Sequence, residues 1–354
     1  MTQAKLPRTI EELTAPWLTE ALQSHCPGIR VAAVTIDKVI WGTATKVLVD
    51  AQYEAGAQSH AIPNKLCIKG ELDERLRKTL GISMTGTQME AGFYSDLAPK
   101  LGVPLARHWF AGSEPGMGLL ILDNLAAANF TFGAPTEPWS PELVSKALDL
   151  LAILHGSTWG KRFPDVPWLQ VGSPAHRGYT EFLMSEKHWQ ERAADPEAYR
   201  LLPYVADRER SLKGWHALWR YDETHSQCLV HGDAHLGNTC IDPTGQPFFI
   251  DWGAPNISNW AIDVGYFITG AMTVKDRRAH EDDLVRRYLD QLIVHGGPRL
   301  DRAEAWDDYR RHLIQGMNWG VLPPSMQARE YVAAMGERYG VAMTDHDTLG
   351  ALGV

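Results

Sequence analysis

The segment His231–Trp252, HGDAHLGNTCIDPTGQPFFIDW, holds the residues best suited to chemistry. Asp233 and Asn238 stand five apart in a loop between apolar runs, and Asp251 closes a returning strand eighteen residues after Asp233. Between them, Asp242-Pro243-Thr244-Gly245 has the composition of a tight turn, since proline fixes φ and glycine tolerates positive φ. A hairpin of this length is expected to bring Asn238 and Asp251 near one another at its base. One carboxylate and one amide oxygen are hard ligands suited to Mg²⁺. Asp233, a second carboxylate, can accept or orient the proton of an attacking hydroxyl. Phosphoryl transfer uses this combination, because its chemistry is mostly positioning and charge neutralisation around the transferred group. Asp233, Asn238 and Asp251 are therefore the candidate catalytic residues, with Asn238 and Asp251 as candidate metal ligands.

The rest of the chain must position them. A helix is expected over 9–23, with Thr9 and Glu12 forming a Thr-x-x-Glu capping box. Strands are expected at 31–40, 46–53 and 61–69, then a helix over 87–101 in which Met89, Phe93, Leu97 and Leu101 recur every fourth residue. Two more strands, 103–110 and 118–122, follow. After Asn124 the chain turns rich in Ala, Pro and Gly. Helices are then expected at 141–159, 176–193, 197–222, 260–272, 279–295, 301–319 and 324–339, interrupted by one β segment around 228–250. The fold class is thus α+β: an antiparallel β-sheet N-terminal lobe over 1–123 and a mostly helical C-terminal lobe over 124–354, joined near Asp123–Ala128.

Composition narrows the function classes. With 354 residues, 44% hydrophobic and 22% charged, the chain has globular composition and length for about two domains. The formal net charge is −9, and no basic patch is visible, so nucleic acid is not an expected partner. Cys26, Cys67, Cys228 and Cys240 form no CxxC pair, which suits a reducing cytoplasm. The N-terminal stretch MTQAKLPRTIEELT lacks a signal-peptide core, and no apolar run approaches the ~20 residues that span a bilayer. A soluble, cytoplasmic protein with no membrane partner is expected.

HGDxxxxN followed by IDW resembles the aminoglycoside phosphotransferase and choline kinase-like superfamily, which has a bilobal protein kinase-like fold. Glu90-x-x-Phe93-Tyr94, Leu151-Ala152-x-Leu154-His155 and Asp263-Val264-x-Tyr266-Phe267 are similar to the ecdysteroid kinase-like branch. The resemblance runs from about residue 12 to 320. It implies ATP as phosphoryl donor, with GTP possible, and a hydroxylated small molecule as acceptor. It implies that Lys69 meets the nucleotide phosphates and pairs with Glu90. Trp41–Lys46, with Gly42 and Thr43, would cover the phosphates, and Leu122–Leu125 would hold adenine through the backbone at Asp123 and Leu125. Two features depart from protein kinases: the covering loop has a single glycine, and the metal motif is Asp-Trp-Gly at 251–253.

Plainer roles fit several neighbours. His231 and His155 read as structural histidines, Asp263 as support for the loop backbone, and His235 as either a substrate contact or a solvated loop residue. Most of the thirteen tryptophans read as core, with Trp260 and Trp319 as pocket candidates. A protein kinase is disfavoured, because no clear Ala-Pro-Glu segment follows Asp251. A non-catalytic nucleotide-binding scaffold would not need the whole Lys69, Glu90, Asp233, Asn238, Asp251 set. A metal-dependent phosphatase would need more clustered His and Asp ligands.

Overall fold

Alternating apolar side chains build the first sheet. In β2 (Thr45–Tyr53), Val47, Val49 and Ala51 are fully buried and their neighbours partly open, the period-two pattern of a strand with one face on a core. Strands β1 (Val31–Ile40) and β3 (Lys65–Gly70) flank it. With β4 (His108–Glu114) and β5 (Met117–Asp123) they form an antiparallel sheet of order β1-β2-β3-β5-β4. Leu18, Ala21 and Leu22 of helix α1 (Ala15–Gln23) join Val47, Leu66, Ile68 and Ile121 in one core. The computed structural model describes residues 5–42, 44–54, 62–73, 86–194, 207–322 and 326–354.

Of the expected elements that shift, three in this part of the chain have a plain local reason. The helix expected from Thr9 starts at Ala15, preceded by a tight turn at Ile10–Glu12. Its cap is Thr14, whose hydroxyl accepts from the Trp17 N–H at 3.4 Å. Pro16 explains the break, since it is tolerated in a first helical turn but would clash with the carbonyl four residues back in a helix begun at Thr9. The strand expected at 103–110 is β4, displaced toward the Pro115-Gly116 turn that sets its register with β5; Gly116 has φ +76°. The helix expected over 87–101 is regular only as α2 (Gly86–Gly92), then widens through Phe93–Leu97 and tightens at Ala98–Lys100. Pro99 has no N–H to continue it.

The chain divides into two compact units: Met1–Thr131 with Ile250–Ala254, and Phe132–Phe249 with Pro255–Val354. Residues 124–130 stay with the first unit, where Ala128 N–H donates to Asn124 O at 3.1 Å and Phe130 N–H to Leu125 O at 3.0 Å.

The second unit is mostly helical. Helix α3 (Pro141–Thr158) starts on Ser140, which caps Leu143 N–H, and buries Val144, Ala147, Leu148, Leu151 and Ala152. The helix expected at 176–193 is two, α4 (Pro174–Leu183) and α5 (Glu186–Ala193), separated at Met184–Ser185. Helix α6 (Arg208–His225) is capped by Asp207; residues 197–206 of the helix expected there lie outside the described residues. Strands β6 (Cys228–Val230) and β9 (Asn256–Ser258) pair antiparallel, as do β7 (Thr239–Ile241) and β8 (Pro247–Phe249). Helix α7 spans Ala261–Ala271. Helix α8 (Val274–Val294) begins five residues before the expected 279, because Thr273 caps it by accepting from Asp276 N–H at 3.1 Å. The helix expected at 301–319 is α9 (Arg302–His312), a tight turn at Leu313–Gly316, and α10 (Met317–Val321). The last long helix, α11, covers Arg329–Asp345 rather than 324–339. Among the described residues no helix is long and apolar enough to cross a membrane.

Candidate active site

In the first unit, Lys69 is the centre of a buried charge cluster. It sits near the end of β3, paired in register with Lys46 on one side and Leu120 on the other, and is only 3% exposed. Its Nζ lies 2.5 Å from Glu90 Oε2 and 2.9 Å from Asp251 Oδ1. Burial pulls the Lys69 ammonium toward neutrality, but Asp251 and Glu90 together outweigh that and hold its pKa above the ordinary value. Burial raises the Glu90 pKa, with Lys69 opposing.

Glu90 reaches Lys69 because α2 packs very close to the sheet. A Cβ on Gly118 would stand 2.2 Å from the Thr87 carbonyl carbon, so only glycine admits the helix there. Glu71 ties the same corner together: one oxygen accepts from Gly118 N–H at 2.8 Å and the other from the Thr87 hydroxyl. One helical turn past Glu90, Phe93 stacks on Trp252, with ring centroids 4.3 Å apart and planes 5° from parallel. The tryptophan of Asp-Trp-Gly thereby fastens Asp251 to this unit. Asp251 itself has φ +64°, a left-handed backbone that a non-glycine residue adopts at a cost of about 1 kcal/mol or more.

At the end of β5, Asp123 Oδ1 accepts from Trp109 Nε1–H at 2.7 Å, and Asp123 N–H donates to Arg107 O at 3.0 Å. The Leu125 carbonyl accepts from Phe130 N–H. Gly42 is exposed in the β1–β2 connection, where an added Cβ would meet nothing nearer than Ala44 O at 3.5 Å. Thr43 lies outside the described residues.

In the second unit the loop after β6 is held from below by Asp263 on α7. The buried Asp263 carboxylate accepts from His231 N–H at 2.6 Å and Gly232 N–H at 2.9 Å, the backbone support expected of it. Its Oδ2 also lies 3.1 Å from His155 Nε2, and His155 Nδ1 is 2.7 Å from the Tyr288 hydroxyl; His155 is a satisfied core histidine. His231 is fully buried, and its Nδ1 accepts from Asp233 N–H at 3.3 Å. Gly232 has φ +82°, which turns the chain so that Asp233 emerges with its side chain 45% exposed. Asn238 Nδ2 donates to Asp233 O and to Asp233 Oδ2, both at 3.0 Å. That contact ties the loop together through the amide nitrogen of Asn238 and leaves its amide oxygen out of the bond to Asp233. The hairpin beyond is closed by Asp242 Oδ1, which accepts from Thr244 N–H at 2.8 Å and Gln246 N–H at 2.9 Å.

His235 is a packed residue, not a solvated one. Its Nδ1 accepts from Gly237 N–H at 3.0 Å, and its ring meets Trp319 and Tyr266 edge-on, with centroids 5.3 and 6.0 Å away. Trp319 Nε1–H donates to the Tyr266 hydroxyl at 2.7 Å. Burial, with the Asp233 charge adding to it, pushes the Tyr179 hydroxyl to a pKa of about 12 and Tyr266 well above its usual value. Nothing in the spacing of Tyr179 announced that it would feel the Asp233 charge. Of the two tryptophans expected near a pocket, Trp319 lies beside His235. Trp260 is core: it is fully buried and stacked on Tyr288 at 5.0 Å, because the residue opening α7 faces α8.

The amide oxygen of Asn238 and the carboxylate of Asp251 are hard donors that suit Mg²⁺, which binds through few protein oxygens together with phosphate and water. Among the described residues, no group of three or more His, Cys, Asp or Glu is arranged to hold a metal.

Comparison with known proteins adds an independent finding. Residues 82–308 match the model of the phosphotransferase enzyme family, APH. The chain belongs to that family. Among solved structures, 140 chains resemble this APH-family chain. A choline kinase from Streptococcus pneumoniae is 14% identical, with 95% of this chain and 97% of that one covered and a TM-score of 0.50. The GDP and kanamycin complex of APH(2")-IIia is 10% identical, with 93% and 98% covered and a TM-score of 0.52. The Plasmodium vivax ethanolamine kinase is 11% identical, with 97% and 91% covered and a TM-score of 0.50. At these identities the likeness establishes the fold of this family member, a protein kinase-like one with an antiparallel sheet unit and a helical unit. No match to a curated protein sequence was found.

Proposed function

We propose that this phosphotransferase is a small-molecule kinase, which moves the γ-phosphoryl group of ATP to a hydroxyl and leaves a phosphate ester and ADP. The observation that carries the reading is the buried Lys69, held by Glu90 and Asp251 and kept charged. A lysine sequestered between two carboxylates is a poor way to stabilise a fold, because desolvation offsets the attraction, but it presents a fixed positive charge to nucleotide phosphates. Asp233 accepts the proton of the acceptor hydroxyl as its oxygen bonds to phosphorus, and releases it to solvent afterwards. Asn238 keeps the Asp233 carboxylate oriented through its amide nitrogen. Asn238 and Asp251 would be the protein ligands for Mg²⁺, which would supply charge neutralisation for the phosphates. Gly42 and Thr43 cover the phosphates, and Asp123 and Leu125 meet adenine through their backbones. GTP is the alternative donor; one of the similar structures is a GDP complex.

The acceptor is a hydroxylated small molecule. The similar structures include choline and ethanolamine kinases, whose substrates are amino alcohols. Tyr179 and Tyr266, which feel the Asp233 charge, and Trp319 beside His235 support an acceptor with an apolar body. The motifs around Glu90, His155 and Asp263 are the support for placing the chain in the ecdysteroid kinase-like branch.

The test is ADP release over a library of alcohols, run with thermal-shift titration of ATP and Mg²⁺. Asp233→Asn is expected to retain nucleotide binding and to lose roughly 10²–10⁴-fold in turnover. Asp251→Ala is expected to lose the magnesium-dependent rise in melting temperature. Absence of any shift with ATP or GTP in the wild type would sink the reading.

A further inference from the structure

A cavity in the helical unit adjoins the loop of Asp233. Its lining includes Ser173, Arg177, Trp215, Trp219, Gln315 and, from the loop itself, Gly232. It lies at the start of α4, whose Ser173 caps His176 N–H at 3.2 Å. One helical turn past His176 on the same helix is Tyr179, which feels the Asp233 charge.

Among the described residues, two buried groups of this lining have no partner, and a partly open cation beside them has no carboxylate. The Arg177 guanidinium lies over the Trp219 ring, 5.6 Å from its centroid, and among the described residues no carboxylate pairs with it. Trp215 is 1% exposed, and its Nε1–H has no hydrogen-bond partner among the described residues. Gln315 is 3% exposed; its amide nitrogen is 3.2 Å from His176 Nε2, and its Oε1 likewise has no partner among them. Buried polar groups are normally paired, and each orphan costs free energy until something meets it. The acid of the cavity, Asp222, is already matched: its Oδ1 lies 3.0 Å from His312 Nε2. The local balance is therefore a spare positive charge, a spare donor and a spare acceptor, in a chain of net charge −9.

That set discriminates between ligand classes. An ammonium group such as that of an amino alcohol would face Arg177. A plain alcohol would satisfy Trp215 or Gln315 and leave the guanidinium unmet. A carboxylate satisfies Arg177 and Trp215 together through its two oxygens, and an adjoining hydroxyl or N–H donates to Gln315 Oε1.

We infer that this cavity binds the carboxylate end of the acceptor, and hence that the acceptor is a hydroxy acid rather than an amino alcohol. The inference rests on Asp233 as the base of the reaction, since the cavity is relevant to the acceptor only because it adjoins that loop. Arg177 is then the specificity-determining residue, with Trp215 and Gln315 fixing orientation.

The test uses the full chain without nucleotide. Calorimetric and thermal-shift titrations compare alkyl and phenyl hydroxy carboxylic acids, their methyl esters, and choline. The acids are expected to bind at least about 10-fold more tightly than their esters, as loss of a charged hydrogen bond implies. Arg177→Met is expected to abolish that preference, and Gln315→Met to weaken acids and esters alike while keeping it. Equal binding of acid and ester by the wild type, or an unchanged preference in Arg177→Met, would overturn the inference. So would binding of no panel member, which would leave a cavity for ordered water only. ADP release, measured in parallel, separates the two readings. Release on alcohols with no preference for acids keeps the kinase and removes this site; acid binding with no release by any acceptor keeps the site and removes the kinase.

Discussion

Replacing Lys69 with methionine removes one charge and little volume, and the surrounding burial decides where the cost falls. Lys69 is 3% exposed and Glu90 1%, so neither can turn to water when its partner is lost. The Asp251 side chain is 38% exposed and can be resolvated. The cost of Lys69→Met therefore falls on Glu90, left buried without its cation. Removing one partner of a buried pair costs about 3–5 kcal/mol, which corresponds to a fall in melting temperature on the order of 10 °C. The pH dependence has a definite sign. Glu90 already has a raised folded pKa, from burial first, with Lys69 opposing. Without Lys69 it rises further. A carboxyl with a raised folded pKa holds its proton more tightly in the fold than in the unfolded chain, so the deficit is full above that pKa and shrinks as pH falls through it. Melting curves by fluorimetry from pH 5 to 8 should show the variant close to wild type at the acid end and far below it at the alkaline end. Adding Glu90→Gln to Lys69→Met should recover stability at pH 8, because it removes the stranded charge. A variant within 1 kcal/mol of wild type at pH 7, or a gap that does not change between pH 5 and 8, would refute the account of this cluster.

Other expectations come from single contacts. Trp252→Ala removes the ring stacked on Phe93, both fully buried, and should cost about 3–5 kcal/mol in thermal or denaturant unfolding; a conservative Trp252→Phe should recover most of it. Gly118→Ala would place a methyl 2.2 Å from the Thr87 backbone, so α2 must move and take Glu90 from Lys69. ATP-dependent thermal stabilisation should fall in this variant, whereas Gly70→Ala, whose added Cβ would meet Gly118 O at 3.0 Å, should be milder. His312 has a raised pKa: burial lowers it, but Asp222 more than compensates. The pair's contribution is therefore complete below the unfolded pKa of about 6.5 and is lost as pH rises through the higher folded value. Asp222→Asn should flatten that part of the stability–pH profile.

The candidate catalytic loop was legible in short spacings, because a loop that must place an acid and an amide on one turn is local. Asp233, five residues from Asn238, is such a case, and the two side chains do meet. The turn at Asp242–Gly245 and the helices opening at Pro141 and Ala261 were legible for the same reason: caps, prolines and apolar periodicity act within a few residues. Boundaries failed where a local signal had a rival, as at Thr9 against Pro16 or Thr273 against later periodic positions. The contact of Lys69 with Glu90 and Asp251 is different in kind. The three are far apart in the chain, and their meeting depends on a glycine that lets α2 touch β5, on Glu71 holding that corner, and on Trp252 stacking against Phe93. Likewise, Asp263 beneath the loop and Arg177 over the Trp219 ring in its cavity are results of packing between elements. Residue types announce which reactions are possible; burial, which strips water from a charge and leaves it only the partners the fold supplies, decides which of those groups stay charged and where they point.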